Sequence, residues 1–596
     1  MKNMSEDHAP PSLSLVNQRI QFAKRTIGLL TPRQKKIFVI VVPIALFLSL
    51  LDFLGVILLA SLGTMGFKYI SGDPKPTRVE LFLQNITNLN LDSTQVSVLF
   101  LSVAIICLIL KTILGAYFSL KLTKWLARVD AQLSDLANRT LLYQSVDITK
   151  GISPGNALNL VVNSSTRLTS GTIQAVINLI VDSSLVIVLG VLLFAANPST
   201  ATLNLVVLVS AAAIMRFFVK GKIKQLGGRI FALQTTIHDS VITSTLAFKE
   251  IRIYGLQRKI RDRYVSVKFN LTWASLKISF LNGLFRYFLE IALLVSSVLI
   301  FLGEFVFGDL RRAITALILF LAAGLRLVPS IQRIQSSLLS IRLSEDMTKP
   351  YFDFISTENV LDNESNLRER KSITSAPSIE ARNLSVGTRT VEASSVVENI
   401  NFFLPAGSIL AIVGESGSGK TTLLDALSGL TEAKSGTVEV SASGQKHHLN
   451  ELLVGYCTQN PFIVKESLMD NFIFDGLSVE RDILYKYLGQ FNLSDLLDER
   501  VWEDRKDSLS GGERLRIGLI RCMGMPTSLL LYDEPTSALD ELNALKVISL
   551  INSFSKSHTQ LIATHDKRII ENASHILVLK NGSQIEFKEN CDSSKS

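Results

Sequence analysis

Ile409-Leu410-Ala411-Ile412-Val413-Gly414-Glu415-Ser416-Gly417-Ser418-Gly419-Lys420-Thr421-Thr422 sets an unbroken apolar run against a glycine-rich turn that ends on a lysine and two threonines. An apolar run without alternation suits a parallel strand buried on both faces. The turn that follows has the full spacing of a phosphate-binding loop, and it stands where that motif must stand, between a strand and a helix. Glycines let backbone N–H groups curl around phosphate oxygens, and the helix N-terminus adds its dipole. Lys420 then neutralises terminal phosphates, and the Thr421 hydroxyl can ligate Mg²⁺. A glycine turn without a ligand is the rival reading, and the complete set of anchors argues against it.

Downstream, Ser528-Leu529-Leu530-Leu531-Tyr532-Asp533-Glu534 is a second apolar run, ending in two acids. With a phosphate loop upstream, Asp533 is expected at Mg²⁺ and Glu534 at an attacking water. From about Ile379 onward, short β-like runs alternate with glycine turns and helical stretches, as in an α/β domain with a parallel sheet. A linker rich in Ser, Asn and charge precedes it. The expected organisation is a membrane domain over residues 1–350, a linker over 351–377 and a nucleotide-binding domain over 378–596.

The rest of the chain is of another kind. At 596 residues the protein exceeds one ordinary domain, and 47% hydrophobic residues is too apolar for a purely soluble one. Six stretches reach the about 20 residues needed to cross a bilayer as helices. They run approximately Ile37–Leu62, Val96–Leu120, Ile173–Ala196, Ala201–Val219, Ile278–Phe307 and Ala313–Ile331. The net charge of +9 is explained by basic loops, which hold the cytoplasmic side, so no nucleic-acid partner is expected. Both termini and both long loops are placed in the cytoplasm on the same ground. The polar, basic Met1–Lys36 has no signal-peptide pattern. Four widely separated cysteines, Cys107, Cys457, Cys522 and Cys591, suggest free thiols rather than a disulfide framework. In the long loops, breaks are expected at Tyr143–Pro154 and Ser244–Gly255, and Val79–Ile86 is a candidate surface helix. Ionisable residues inside the spans, Asp52, Asp182, Glu290 and Arg326, are costly there unless they pair or face water. They are candidates for a substrate pathway, with an ion pair of Arg326 to Glu290 or Asp52 as the structural alternative.

Leu509-Ser510-Gly511-Gly512-Glu513 resembles the signature motif of ATP-binding cassette transporters. Gln459 in Thr458-Gln459-Asn460-Pro461 matches that family's Q-loop, Ser537-Ala538-Leu539-Asp540 its D-loop, and His565 its switch histidine. With the P-loop and Asp533-Glu534, these motifs stand in the family's order. The resemblance implies an exporter half-transporter: a six-helix α-helical transmembrane domain with long cytoplasmic helix extensions, fused to an α/β P-loop nucleotide-binding domain. It implies ATP and Mg²⁺, and a homodimer in which ATP is sandwiched between one chain's P-loop and the other's Ser510, Gly511 and Gly512, with Asp540 of the D-loop also binding ATP. Gln459 joins Thr421 and Asp533 at the metal, and Glu534, His565 and Gln459 serve hydrolysis at both sites. The loop breaks become elbows that carry cassette closure to the spans. Thr388 stands where the family usually stacks an aromatic on adenine, with Arg389 as a substitute. Leu30–Lys36, the segment near Leu81 and Leu325–Arg333 resemble bacterial flippases of lipid-linked oligosaccharides, multi-pass proteins of the inner membrane. An amphipathic or lipid-linked substrate and contact with membrane lipids are therefore expected. A peptide or hydrophobic-drug exporter is the alternative, and an ATP-gated channel or regulator a more distant one.

Overall fold

The computed structural model describes residues 11–71, 93–144, 151–196, 198, 202, 206–207, 210, 226–307, 310–356, 370–387, 395–474 and 477–590. The chain divides into two compact units, residues 1–141 with 153–357, and residues 142–152 with 358–596.

The first unit is helical. Its long helices are Pro32–Ser71, Ser93–Tyr143, Gln257–Phe307 and Leu310–Ile355. The 51 residues of Gln257–Phe307 come to about 76 Å at about 1.5 Å per residue, far more than the ~30 Å of a hydrocarbon core. Membrane helices therefore run on well beyond the apolar stretches. Among the described residues, four helices are long and apolar enough to cross a membrane: Pro32–Asp52, Val98–Tyr143, Pro154–Val191 and Gln257–Val306. The sixth expected span lies inside the helix Leu310–Ile355. The fourth falls almost wholly outside the described residues, with helical backbone at 202, 206–207 and 210. Outward-facing Val39, Ile105, Ile113, Val191 and Val298 are exposed, as lipid-facing residues would be.

Helix lengths depart from the sequence expectation in two places. The first membrane helix continues to Ser71, and the last one to Ile355, into the stretch read as linker. Nothing in Gly63–Ser71 or Lys349–Ile355 breaks a helix except Pro350, and an established helix can carry a proline with a kink. The candidate surface helix Val79–Ile86 lies outside the described residues.

The loop breaks have local causes. The helix Ser93–Tyr143 ends where the break is expected, and 145–150 lie outside the described residues. Ser153 then caps a new helical run, its hydroxyl accepting from the Asn156 N–H, with Pro154 in the first turn. Gly155 is required by contact: Asp239 accepts its N–H at 2.8 Å, and a Cβ there would lie 2.4 Å from Asp239 Oδ1. In the other loop the helix Leu226–Leu246 gives way at Ala247 to the short helix Phe248–Ile253, and Gly255 turns the chain at φ 65°. The run that starts at Pro154 winds as a π-helix over Asn159–Asn163 and again over Arg167–Ile173. Its Gly171 presses on Ser344, where a Cβ would not fit.

Among the described residues the second unit has twelve strands: β1 (Ser378–Gly387), β2 (Ser395–Leu404), β3 (Ile409–Gly414), β4 (Ser435–Ala442), β5 (Gln445–His447), β6 (Gly455–Cys457), β7 (Ile473–Phe474), β8 (Leu477–Ser478), β9 (Leu529–Asp533), β10 (Thr559–Ala563), β11 (His575–Lys580) and β12 (Ser583–Glu589). Ten form one sheet in the order β5-β4-β1-β2-β12-β11-β3-β10-β9-β6, while β7 and β8 pair separately. Strands β11, β3, β10, β9 and β6 are parallel. Alternate side chains of the apolar runs enter two cores. Ile409, Ala411, Leu530 and Tyr532 pack on one face, and Leu410, Ile412, Leu529 and Leu531 on the other. Burial on both faces is why these runs lack alternation.

Candidate ATP site and a charged cavity in the membrane half

The nucleotide site forms at the carboxyl ends of the central parallel strands, where open α/β sheets place ligands. Strand β3 delivers Gly414 into the loop Glu415, Ser416, Gly417, Ser418, Gly419, and the helix Lys420–Leu427 leaves it, with Thr422 in its first turn. Gly417 and Gly419 take φ of 83° and 96°, backbone that side chains rarely adopt. Gly414 is fixed by approach, since a Cβ would meet the Leu579 carbonyl at 2.3 Å.

Lys420 Nζ donates to the Gly414 carbonyl at 2.7 Å, to the Glu415 carbonyl at 3.2 Å and to His565 Nε2 at 2.9 Å. A lysine only donates, so this ring nitrogen accepts, and the imidazole proton belongs on Nδ1. Strand β9 pairs with β10 in register, Asp533 opposite Ala563, and so brings Asp533 and Glu534 beside the loop. The Thr421 hydroxyl donates to Asp533 Oδ2 at 2.8 Å. Burial pushes the Asp533 carboxyl up from its usual range, and the hydrogen bond from Thr421 works against that. A hydroxyl and a carboxylate side by side are hard oxygen donors suited to Mg²⁺. Thr421 and Asp533 would hold it, where it would screen phosphate charge. Gln459 follows β6, which lies parallel to β9 with Cys457 opposite Tyr532, so it emerges at the same end of the sheet, exposed.

Glu534 is held with φ 51°, a left-handed conformation for a residue with a side chain, and its N–H donates to the Ala563 carbonyl at 2.9 Å. Such backbone strain at the rim of a site is a mark of function. Its carboxylate lies 3.6 Å from His565 Nε2, and burial raises its affinity for a proton. That is the disposition of a general base.

The signature and D-loop residues are set by helix caps. Ser510 caps the helix Gly511–Met523 in a reciprocal box with Glu513, and Asp540 caps Glu541–Ser553 by accepting from Asn543. Gly512 lies against Ala538, a Cβ there falling 2.9 Å from the Ala538 carbonyl, so the two motifs adjoin within one chain. Thr388 and Arg389 lie outside the described residues.

In the membrane half, a cavity of about 250 Å³ is lined by Asp52, Lys111, Asp182, Arg326 and Arg333, with Ser49. Lys111 Nζ donates to Asp52 Oδ2 at 3.0 Å, and Arg326 lies 3.5 Å from Asp52 Oδ1. Arg333 pairs with Asp182 Oδ1 at 2.7 Å, and its guanidinium also donates to Ser330 Oγ at 2.9 Å. Both carboxylates are buried, and the cations around them are more open.

Three of the pathway candidates, Asp52, Asp182 and Arg326, thus come together, and Glu290 does not. It pairs with Arg286 one turn away on its own helix at 2.7 Å, with both side chains half exposed. Of the two pairings considered for Arg326, with Glu290 or with Asp52, the structure has the one with Asp52, because the helix turns Glu290 away from the cavity. Asp182 lines the same cavity as Asp52 and Arg326. Lys111 and Arg333 were missed. Lys111 stands well inside the apolar run Val96–Leu120, and Arg333 one helical turn beyond Pro329-Ser330, so both carried a legible signal.

Residues 397–537 match the family described as ABC transporter. The "Probable iron export ATP-binding protein FetA" of Escherichia coli (strain K12) is 35% identical over 197 residues, covering 31% of this chain and 85% of that protein. The chain belongs to the ABC transporter family, and it is an ATP-hydrolysing transporter. Its relatives extend over the membrane half: the "ATP-dependent lipid A-core flippase" of Photorhabdus laumondii is 23% identical over 448 residues, covering 73% of this chain and 76% of that one. The solved "Structure of a bacterial Atm1-family ABC exporter with ATP bound" superposes with a TM-score of 0.72 at 18% identity, covering 93% of this chain and 95% of that one. The fold is that of an exporter: a helical transmembrane domain fused to a nucleotide-binding domain.

Proposed function

We propose that the protein is a homodimeric half-transporter of the inner membrane, with both termini in the cytoplasm. It uses ATP to export or flip an amphipathic substrate carrying a phosphorylated head group, a lipid-linked oligosaccharide or related glycolipid. The observation that carries this reading is the charged cavity. Among the described residues that line it, Lys111, Arg326 and Arg333 surround two buried carboxylates, leaving one cation in excess. Arg326 is held at 3.5 Å by a carboxylate already bound more closely by Lys111, so its planar guanidinium is the group most available to a phosphate. The similarity to a protein named for lipid A-core flipping supports a lipid cargo.

ATP lies between the P-loop of one chain and Ser510, Gly511, Gly512 and Asp540 of a second copy. Glu534 activates the water, with His565 and Gln459 around the γ-phosphate. Mixing Ser510→Arg with Lys420→Ala subunits should give dimers with one intact site and restore part of the activity that each variant lacks alone.

The cargo is tested by mass spectrometry of lipids and peptides that copurify with Glu534→Gln, and by ATPase in liposomes. Arg326→Gln should leave basal ATPase and thermal stability intact and abolish stimulation by a phosphorylated glycolipid. Full stimulation in that variant, or copurification of peptide alone, would overturn the reading in favour of a peptide exporter.

A further inference from the structure

The signature serine is already engaged within its own chain. Glu513 Oε2 accepts from the Ser510 N–H at 2.8 Å and from the Ser510 hydroxyl at 2.9 Å, while the Glu513 N–H donates back to Ser510 Oγ at 3.2 Å. The other carboxylate oxygen is taken by Arg505, whose guanidinium also reaches Asp495 Oδ2 at 2.8 Å. Glu513 is largely buried, whereas Arg505 is more open. Burial raises the Glu513 carboxyl's proton affinity, but the donors from Ser510 and the charge of Arg505 outweigh it, and the group stays anionic.

A serine hydroxyl has a single proton to donate. In the sandwich arrangement, on which this inference rests, that proton is needed by a γ-phosphate oxygen held on the second chain. We propose that Glu513 competes with the γ-phosphate for the Ser510 hydroxyl proton, and that Arg505 is a positioning residue that weakens Glu513's hold and so sets how readily ATP closes the two cassettes. The ion pair draws the carboxylate's charge toward Arg505 and fixes its orientation. Without Arg505, the carboxylate is a stronger acceptor for Ser510 and a less compensated negative charge beside the incoming phosphate. An amide in place of the carboxylate keeps the capping geometry, since Gln serves the same reciprocal box. Its oxygen is a weaker acceptor, because hydrogen bonds to charged groups are roughly twice as strong as neutral ones.

The two substitutions therefore act in opposite directions, which a merely structural role would not produce. In full-length protein carrying Glu534→Gln, retention of labelled ATP reports the closed sandwich. Glu513→Gln should lower the ATP concentration for half-maximal retention about fivefold, the equivalent of one charge-assisted hydrogen bond exchanged for a neutral one. Arg505→Gln should raise it by a similar factor, Arg505→Lys should restore most of the native value, and the double Arg505→Gln/Glu513→Gln variant should follow Glu513→Gln. If both single variants weaken retention, or neither changes it, the competition is overturned. Ser510→Arg is the control for the sandwich: loss of retention there with no opposed shifts defeats the proposal alone, and native retention there defeats the sandwich reading and the proposal together.

Discussion

The nucleotide-binding unit and the helical unit hold their charges by different rules. In the cassette, Lys420, His565 and Glu534 stand in a row at 2.9 and 3.6 Å, and beside them Thr421 donates to Asp533 at 2.8 Å. Each member comes from a strand end or helix start whose backbone fixes its direction. In the membrane half, Asp52, Lys111, Asp182, Arg326 and Arg333 come from the sides of long helices, and which charge meets which depends on helix rotation and packing. A motif read along the chain can specify the first arrangement. Only the folded structure specifies the second.

The largest expected effect tests the cassette side. Glu534→Gln should retain ATP binding and lose about 10²-fold or more in turnover, the range for general-base assistance. Lys420→Ala should instead weaken binding of the nucleotide. ATP binding and steady-state hydrolysis on the purified protein separate the two, and near-native hydrolysis in Glu534→Gln would break the assignment.

The next effect belongs to the cavity. Arg333→Gln leaves the Asp182 carboxylate buried without its guanidinium. Removing one partner of a fully buried pair typically costs ~3–5 kcal/mol, and because Arg333 is itself half exposed a loss of about 2 kcal/mol is expected. Adding Asp182→Asn should recover most of it. Glu290→Gln, on the exposed pair with Arg286, should change stability little. Thermal unfolding in one detergent checks all three, and equal losses for Arg333→Gln and Glu290→Gln would erase the distinction between a cavity pair and a surface pair.

These two tests show what could be read from the chain. The P-loop, Asp533, Glu534 and the cap at Ser510 were legible because phosphate chemistry demands those residue types at fixed spacing. Asp52 and Asp182 were legible as costly charges in apolar runs, but their partners only in part: Arg326 had two candidate carboxylates, in the first and the fifth span, and the outward turn of Glu290 is decided by packing around Phe285 and Leu289. The π-helical segments left no signal in Asn159–Ile173, because an inserted residue in a helix changes register without changing composition.

A pH profile gives a smaller effect. Burial raises the Glu534 carboxyl's pKa, and a general base works only when deprotonated. Turnover should therefore fall on acidification at a pH above the ~4.3 of an ordinary glutamate. It should be fully present above the raised pKa and lost below it. The residual activity of Glu534→Gln should lack that limb, and an unchanged acid limb in the variant would assign it to another group.

The smallest expected effect concerns the adenine. Thr388 and Arg389 lie outside the described residues, and the reading rests on sequence alone: a threonine stands where an aromatic platform is usual in the family. An aromatic stacking contact is worth ~1 kcal/mol, about fivefold in affinity. ATP and GTP should accordingly compete on nearly equal terms for the native protein, and Thr388→Tyr should tighten ATP by about that factor. The effect is small because the groups expected at the phosphates, the loop amides, Lys420 and the Mg²⁺ ligands, would be indifferent to the base. Competition binding with both nucleotides in the Glu534→Gln background isolates this term from hydrolysis. A strong native preference for adenine would show that another residue already stacks on it, and Arg389→Ala, which removes the guanidinium plane next to Thr388 in the sequence, would then be the variant that abolishes the preference.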